Sequence, residues 1–206
     1  MTAPPRRTQA QRRSETIEAL IDATIEAIAE VGYHRTSLGE VCQRSGISKG
    51  GLFRHFASRL DLVVAAAEEV GRRHFAAFDE FRAEGGSVEI VDLLLFARKE
   101  SRDPSNSVWF ELLVAARTDP ELRERLNPVA VTLYDNIEAR AAAAFAGRGI
   151  PADVIRLFAT SALHMFDGEA IFRHTYPRPE LEAERIAATA SLYESLTTAE
   201  TRADPR

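Results

Sequence analysis

The residues whose types and spacing could do chemistry gather in one stretch near the N-terminus. Ser48-Lys49-Gly50-Gly51 is preceded by Thr36-Ser37 and followed by Phe53-Arg54-His55 and Arg59. A lysine in that setting can bond guanine edges or a phosphate, and Thr36, Arg54, His55 and Arg59 can hold phosphate oxygens. Adjacent glycines in the first turn of a helix cost about 1 kcal/mol each relative to alanine. Close approach of the backbone to DNA is the compensation expected. Other chemistries find little support. The sequence has no Gly-rich phosphate loop, no His-Glu-x-x-His and no G-x-S-x-G, so it reads as a non-enzyme without a cofactor. The alternative is a small-molecule-transforming enzyme on an all-α scaffold, whose activity His164→Ala or Asp167→Ala would abolish. His164, Asp167 and His174 do not read as a metal site, because His174 lies almost three helical turns beyond His164.

Those residues must be positioned by helices, and the whole chain reads that way. Ile17, Leu20, Ile21, Thr24, Ile25 and Ile28 fall at helical spacing, with Ser14 as the expected N-cap and Gly32 as the stop. Ser37 with Glu40 three residues on is a capping box, so a second helix is predicted over about 38–45. Ser48 caps a third, to about His55, and Gly46-Ile47 is all that separates the pair. Two short helices joined by so tight a turn form a helix-turn-helix, whose second helix enters the major groove with its N-terminal residues. Ser58 begins a long fourth helix, ended by Gly85-Gly86. Further helices are predicted from Ser87 to Ser101, Ser107 to Arg117, Thr118 to Ala146, Pro151 to Thr175 and Pro179 to Ala199. No segment alternates with a period of two. The expected fold is all-α with about nine helices, divided into a flexible basic arm (1–13), a DNA-binding domain (14–62), a helical ligand-binding and dimerisation domain (63–199) and a loose tail (200–206).

Charge supports this division. The 206 residues carry a net charge of −5, yet residues 1–60 hold nine Lys/Arg against six Asp/Glu and the remainder 17 against 25. A basic first quarter suits a polyanion, and the acidic remainder argues against a nonspecific architectural DNA protein. Arg6, Arg7, Arg12 and Arg13 read equally well as an arm for the minor groove or as a solubilising tail. The single cysteine, Cys42, permits no internal disulfide, reads as a small core residue, and fits a reducing cytoplasm. No apolar run approaches the roughly 20 residues that span a bilayer, so no membrane partner is expected.

Residues 14–64 resemble the DNA-binding domain of the TetR family, the tetracycline-repressor-like bacterial regulators. The matching residues are Ala23, Gly32-Tyr-His-Arg-Thr36-Ser37, Val41, Ser45-Gly-Ile-Ser-Lys-Gly-Gly-Leu-Phe-Arg-His-Phe56 and Ser58-Arg-Leu-Asp-Leu62. The resemblance implies a homodimer on a palindromic operator, most simply a repressor, and a C-terminal domain that binds a small-molecule effector. It places Thr36, Ser48, Lys49 and Gly50 at DNA-contacting positions and His55 at a phosphate-contacting one. Phe53 stands where the family usually has a tyrosine whose hydroxyl touches a phosphate, a loss that Arg54 could partly offset. Arg59 replaces the usual lysine and keeps the charge. By residue type alone, Phe53 and Phe56 read as core.

In the C-terminal region Phe78, Trp109, Phe110, His164, Met165 and Asp167 are the candidate ligand residues, an aromatic set with a few polar groups of the kind that lines pockets. For each, ordinary packing or a structural hydrogen bond is the competing reading. The last two helices carry stripes at Val154, Phe158, Ser161, Ala162 and Met165, and at Leu181, Ala183, Ala187, Ala190 and Tyr193. The resemblance makes them the dimerisation pair, and burial within one subunit fits the same pattern. The long fourth helix, joining both domains, is the expected lever between ligand and DNA.

Overall fold

Side-chain caps fix most of the helix starts. The structure, a computed structural model, describes residues 8–85 and 89–203, with side chains to 195. Its α-helices are α1 (Gln9–Val31), α2 (Leu38–Ser45), α3 (Lys49–Leu52), α4 (Arg59–Ala83), α5 (Ile90–Ser101), α6 (Ser107–Ala115), α7 (Pro120–Ala144), α8 (Ala152–Phe172) and α9 (Glu182–Ala203). Short 3-10 turns stand at Tyr33–Arg35, Pro104–Asn106 and Pro179–Leu181. Among the described residues there is no strand. None of these helices is long and apolar enough to cross a membrane.

Several boundaries differ from expectation, each for a local reason. α1 starts at Gln9, because Thr8 and Gln11 form a capping box, Gln11 N–H on Thr8 Oγ1 at 3.2 Å and Thr8 N–H on Gln11 Oε1 at 2.8 Å. Ser14 therefore sits inside the helix and donates to the Glu18 carboxylate. Gln9–Arg13 are helical, and Arg6 and Arg7 lie outside the described residues, as do Ser87 and residues 204–206. The expected tail at 200–203 continues α9. α7 is capped by Asp119, whose Oδ1 accepts the Leu122 N–H at 3.0 Å, while the Thr118 hydroxyl turns back to the Ala115 carbonyl.

The chain packs into two compact units. One holds the residues up to Arg72 with Ser107–Val129; the other holds Arg73–Asn106 and the residues from Ala130 on. In the first unit Leu20 and Ala23 of α1, Val41 of α2, Leu52 of α3, Phe56 after it and Leu62 of α4 form a continuous core, with Ile47 and Cys42 against it. α6 packs on α1. In the second unit α5, α8 and α9 bury Ile90, Leu94, Ile155, Phe166, Ile186 and Tyr193 together. Ala162, Ala190 and Tyr193, assigned to dimer stripes on the sequence, are buried here within the one chain.

Candidate nucleic-acid interface

The first unit's exposed head is built from α2, α3 and the turns around them. Tyr33–Arg35 follows Gly32, whose φ of 82° and ψ of 162° are open to glycine alone. A Cβ at Gly32 would also stand 3.0 Å from Glu111 Oε2 of α6, the oxygen that accepts the Tyr33 N–H at 2.9 Å. Ser37 then caps α2 by accepting the Glu40 N–H at 3.1 Å. Gly46, left-handed at φ 70°, ends it. Ser48 caps α3 by accepting the Gly51 N–H at 3.2 Å. Ser58 begins α4, accepting the Asp61 N–H at 3.0 Å and donating to the Asp61 carboxylate at 2.8 Å.

α3 is shorter than the expected run to His55. It closes at Leu52, where the backbone tightens: Arg54 N–H bonds the Gly51 carbonyl and His55 N–H the Leu52 carbonyl. The two glycines separate in role. A Cβ at Gly51 would meet Ile47 Cγ2 at 2.9 Å, whereas one at Gly50 would meet nothing within 4 Å. Gly51 therefore makes room for Ile47, the plug beneath the turn, and only Gly50 faces open space.

The head leaves Ser37, Ser48, Lys49, Gly50, Phe53 and Arg54 exposed. Phe53, assigned to the core on residue type, is 52% exposed; Phe56 is the one turned inward, because the tightened turn after Leu52 rotates its neighbour out. His55 is half-buried, and its Nδ1 is buried with no hydrogen-bond partner among the described residues. Thr36 is 2% exposed, its hydroxyl donating to the Gly32 carbonyl at 2.9 Å. Arg59 lies over the Tyr33 ring, 4.2 Å from its centroid, and donates from Nε to the Thr36 carbonyl at 2.6 Å and from Nη2 to the Tyr33 carbonyl. These partners lie 23 and 26 residues away, so no local pattern announced them. On the far side of α2, Arg44 pairs with Glu40 and Glu30. The Arg44 hydrogen bond holds the Glu30 carboxyl below its usual range.

The candidate ligand residues fall in both units. Trp109 is buried and Phe110 half-buried in the first. Phe78, Met165, His164 and Asp167 belong to the second, where Phe78 and Met165 pack against the core and His164 Nε2 shares a 2.7 Å hydrogen bond with the Tyr134 hydroxyl. Asp167 accepts from Asn106 Nδ2 at 3.3 Å, and burial pushes its carboxyl up. A cavity of about 490 Å³ in this unit is lined by His164 and Met165 together with Phe172, Tyr176, Leu181 and Arg185, among others. Beside it stands a feature that the residue spacing did not announce. Arg98 of α5, Arg102 at its C-cap and Arg185 of α9 converge on Glu169 of α8, and the first two also reach Glu182. Burial raises the Glu169 carboxyl's pKa, but the three arginines outweigh that and hold it below the usual range. Among the described residues no group of three or more His, Cys, Asp or Glu side chains could hold a metal ion.

Comparisons with known proteins match this layout. Residues 20–66 match the family model for bacterial regulatory proteins of the tetR family, and residues 87–194 match that for the C-terminal part of BetI-type transcriptional repressors. The HTH-type transcriptional regulator Rv2912c of Mycobacterium tuberculosis is 38% identical over 188 residues, covering 90% of this chain and 96% of the relative. CymR of Pseudomonas putida is 32% identical over 126 residues, or 59% and 61% of the two chains. A transcriptional regulator from a Rhodococcus species shares the fold at a TM-score of 0.67 with 22% identity, over 89% of this chain and 96% of that one. With the helix-turn-helix geometry and these matches together, the chain belongs to the TetR family of DNA-binding transcriptional regulators.

Proposed function

We propose that the chain is a repressor that binds a palindromic operator as a homodimer and leaves it when a small-molecule effector binds. The observation that carries the reading is the exposed start of α3, where Ser48, Lys49 and the open face of Gly50 project from the head into solvent. Lys49 reads base edges, Gly50 lets the backbone come close, and Arg54 and His55 hold phosphates. Thr36 serves from within, through the turn that its hydroxyl braces. Phe53, exposed and without a hydroxyl, offers an apolar surface to sugar or a thymine methyl.

The family match to a BetI-type repressor supports repression. Dimerisation through α8 and α9 is supported by apolar side chains left exposed there, Leu157, Ile171 and Phe172 on α8 and Leu192 on α9, which a second copy would cover. Effector binding is read within the second unit, at the cavity that His164 and Met165 line, with Phe78 and Asp167 in the same unit. A multidrug binding protein of the same fold, EbrR, is known in complex with imidazole, with a TM-score of 0.61 at 21% identity. An effector releases DNA only to the extent that it binds one conformation better than another. DNA selection from a random duplex pool, followed by a screen of small molecules for release of the selected duplex, tests the reading. Failure to enrich any duplex would remove it.

A further inference from the structure

We propose that Arg59 is a positioning residue for DNA recognition, clamping the turn that launches α2, and makes no phosphate contact of its own. The proposal rests on reading α2–α3 as the DNA-binding head. The side-on edge of the guanidinium is already committed. Nε and Nη2, one of the two paired edges that can take a phosphate bidentately, bond the Thr36 and Tyr33 carbonyls, and one face lies on the Tyr33 ring. Giving that edge to a phosphate would strip its donor from the carbonyl of Thr36, a residue that is 2% exposed. A buried carbonyl left without a donor is costly.

The clamp sits where it can set the reading geometry. The Thr36 carbonyl directly precedes Ser37, the N-cap of α2, so fixing it fixes where α2 begins. Tyr33 is gripped at both ends of its backbone: Glu111 accepts its N–H and Arg59 donates to its carbonyl. α2 packs directly on α3. A shift in the first turn of α2 therefore reaches Lys49. A lysine at position 59 keeps the charge but has no planar fork to serve two carbonyls and a ring together.

The test compares wild type, Arg59→Ala, Arg59→Lys and Lys49→Ala on the duplex that wild type selects from a random pool. Dissociation constants are measured by fluorescence anisotropy from 50 to 200 mM KCl, after a thermal melt has shown each variant folded at the assay temperature. Because Arg59 is only half-buried and lysine preserves the charge on a long side chain, Arg59→Lys is the variant that keeps the test open should the alanine variant melt early. The clamp predicts that both substitutions weaken binding tenfold or more, while the slope of log affinity against log salt stays at the wild-type value. Direct phosphate binding by Arg59 predicts a slope shallower by about 0.9 for each phosphate that Arg59→Ala leaves unneutralised, with Arg59→Lys binding as wild type; that result would overturn the proposal. So would wild-type affinity in both Arg59 variants while Lys49→Ala binds weakly. Wild-type affinity in Lys49→Ala would instead remove the placement of α3 in the groove, on which the clamp depends.

Discussion

The DNA-binding head and the α5–α8–α9 unit are held together by different means. In the head, short helices are delimited by serines and glycines acting on backbone groups a few residues away: Ser37 on Glu40, Ser48 on Gly51, Ser58 on Asp61. In the other unit, Arg98 and Arg102 find Glu169 and Glu182 across 67 to 84 residues of chain. Backbone chemistry of the first kind is specified by neighbouring residues, and fixes angles within a short span. Side-chain pairing of the second kind needs the fold to exist first. The head should therefore be most sensitive to changes in glycine, and the second unit to changes in charge.

Glu169→Gln tests the second half of that contrast and should have the largest effect on stability. Its side chain is 8% exposed, and removing the charge leaves Arg98, Arg102 and Arg185 facing one another with only Glu182 to balance the first two. A decrease of about 3 kcal/mol is expected, read by urea denaturation; a decrease below about 1 kcal/mol would show that the network is solvated. Gly32→Ala comes next. Its backbone strain alone amounts to about 1–3 kcal/mol, and the new methyl displaces Glu111 from Tyr33, so the same experiment should show the first unit weakened.

The two glycines of α3 offer a sharper pairing. Gly51→Ala should destabilise the head by about 1 kcal/mol or more through its clash with Ile47. Gly50→Ala, which has room and gains helix propensity, should leave stability unchanged or raise it by up to about 1 kcal/mol, yet weaken operator binding. Equal effects of the two on both melting and binding would erase the distinction.

The smallest effect expected is at Asp167. Burial raises its folded pKa above the unfolded value, so its contribution to stability is fully present below the ordinary carboxylate range and disappears as pH rises through the folded pKa. Asp167→Asn should melt higher than wild type at pH 7, with the gap closing as pH falls toward about 4. A gap that widens on acidification would reverse the assignment.

Much of this was legible in the sequence because the signals were local. Ser37, Ser48, Ser58, Gly32 and Gly46 all stand at the helix ends their residue types indicated. The capping box at Thr8 gave no such signal, because the first two turns of α1 are almost wholly exposed, leaving no apolar stripe to mark them. Phe53 was assigned to the core because hydrophobicity says nothing of how tightly a turn closes after Leu52. For Arg59 and the Glu169 network, residue type indicated charge but not direction. Of the candidate ligand residues, only His164 and Met165 line the cavity in the second unit. Aromatic clustering in sequence does not distinguish a pocket wall from packing.

The claim on which the rest depends is that the start of α3 reads duplex DNA. A gel shift at one fixed salt concentration, using the duplex selected by wild type, tests it directly with Lys49→Ala. Binding weaker by at least about tenfold, with the melting temperature unchanged, is the predicted result. A Lys49→Ala protein that binds that duplex as tightly as wild type would contradict it.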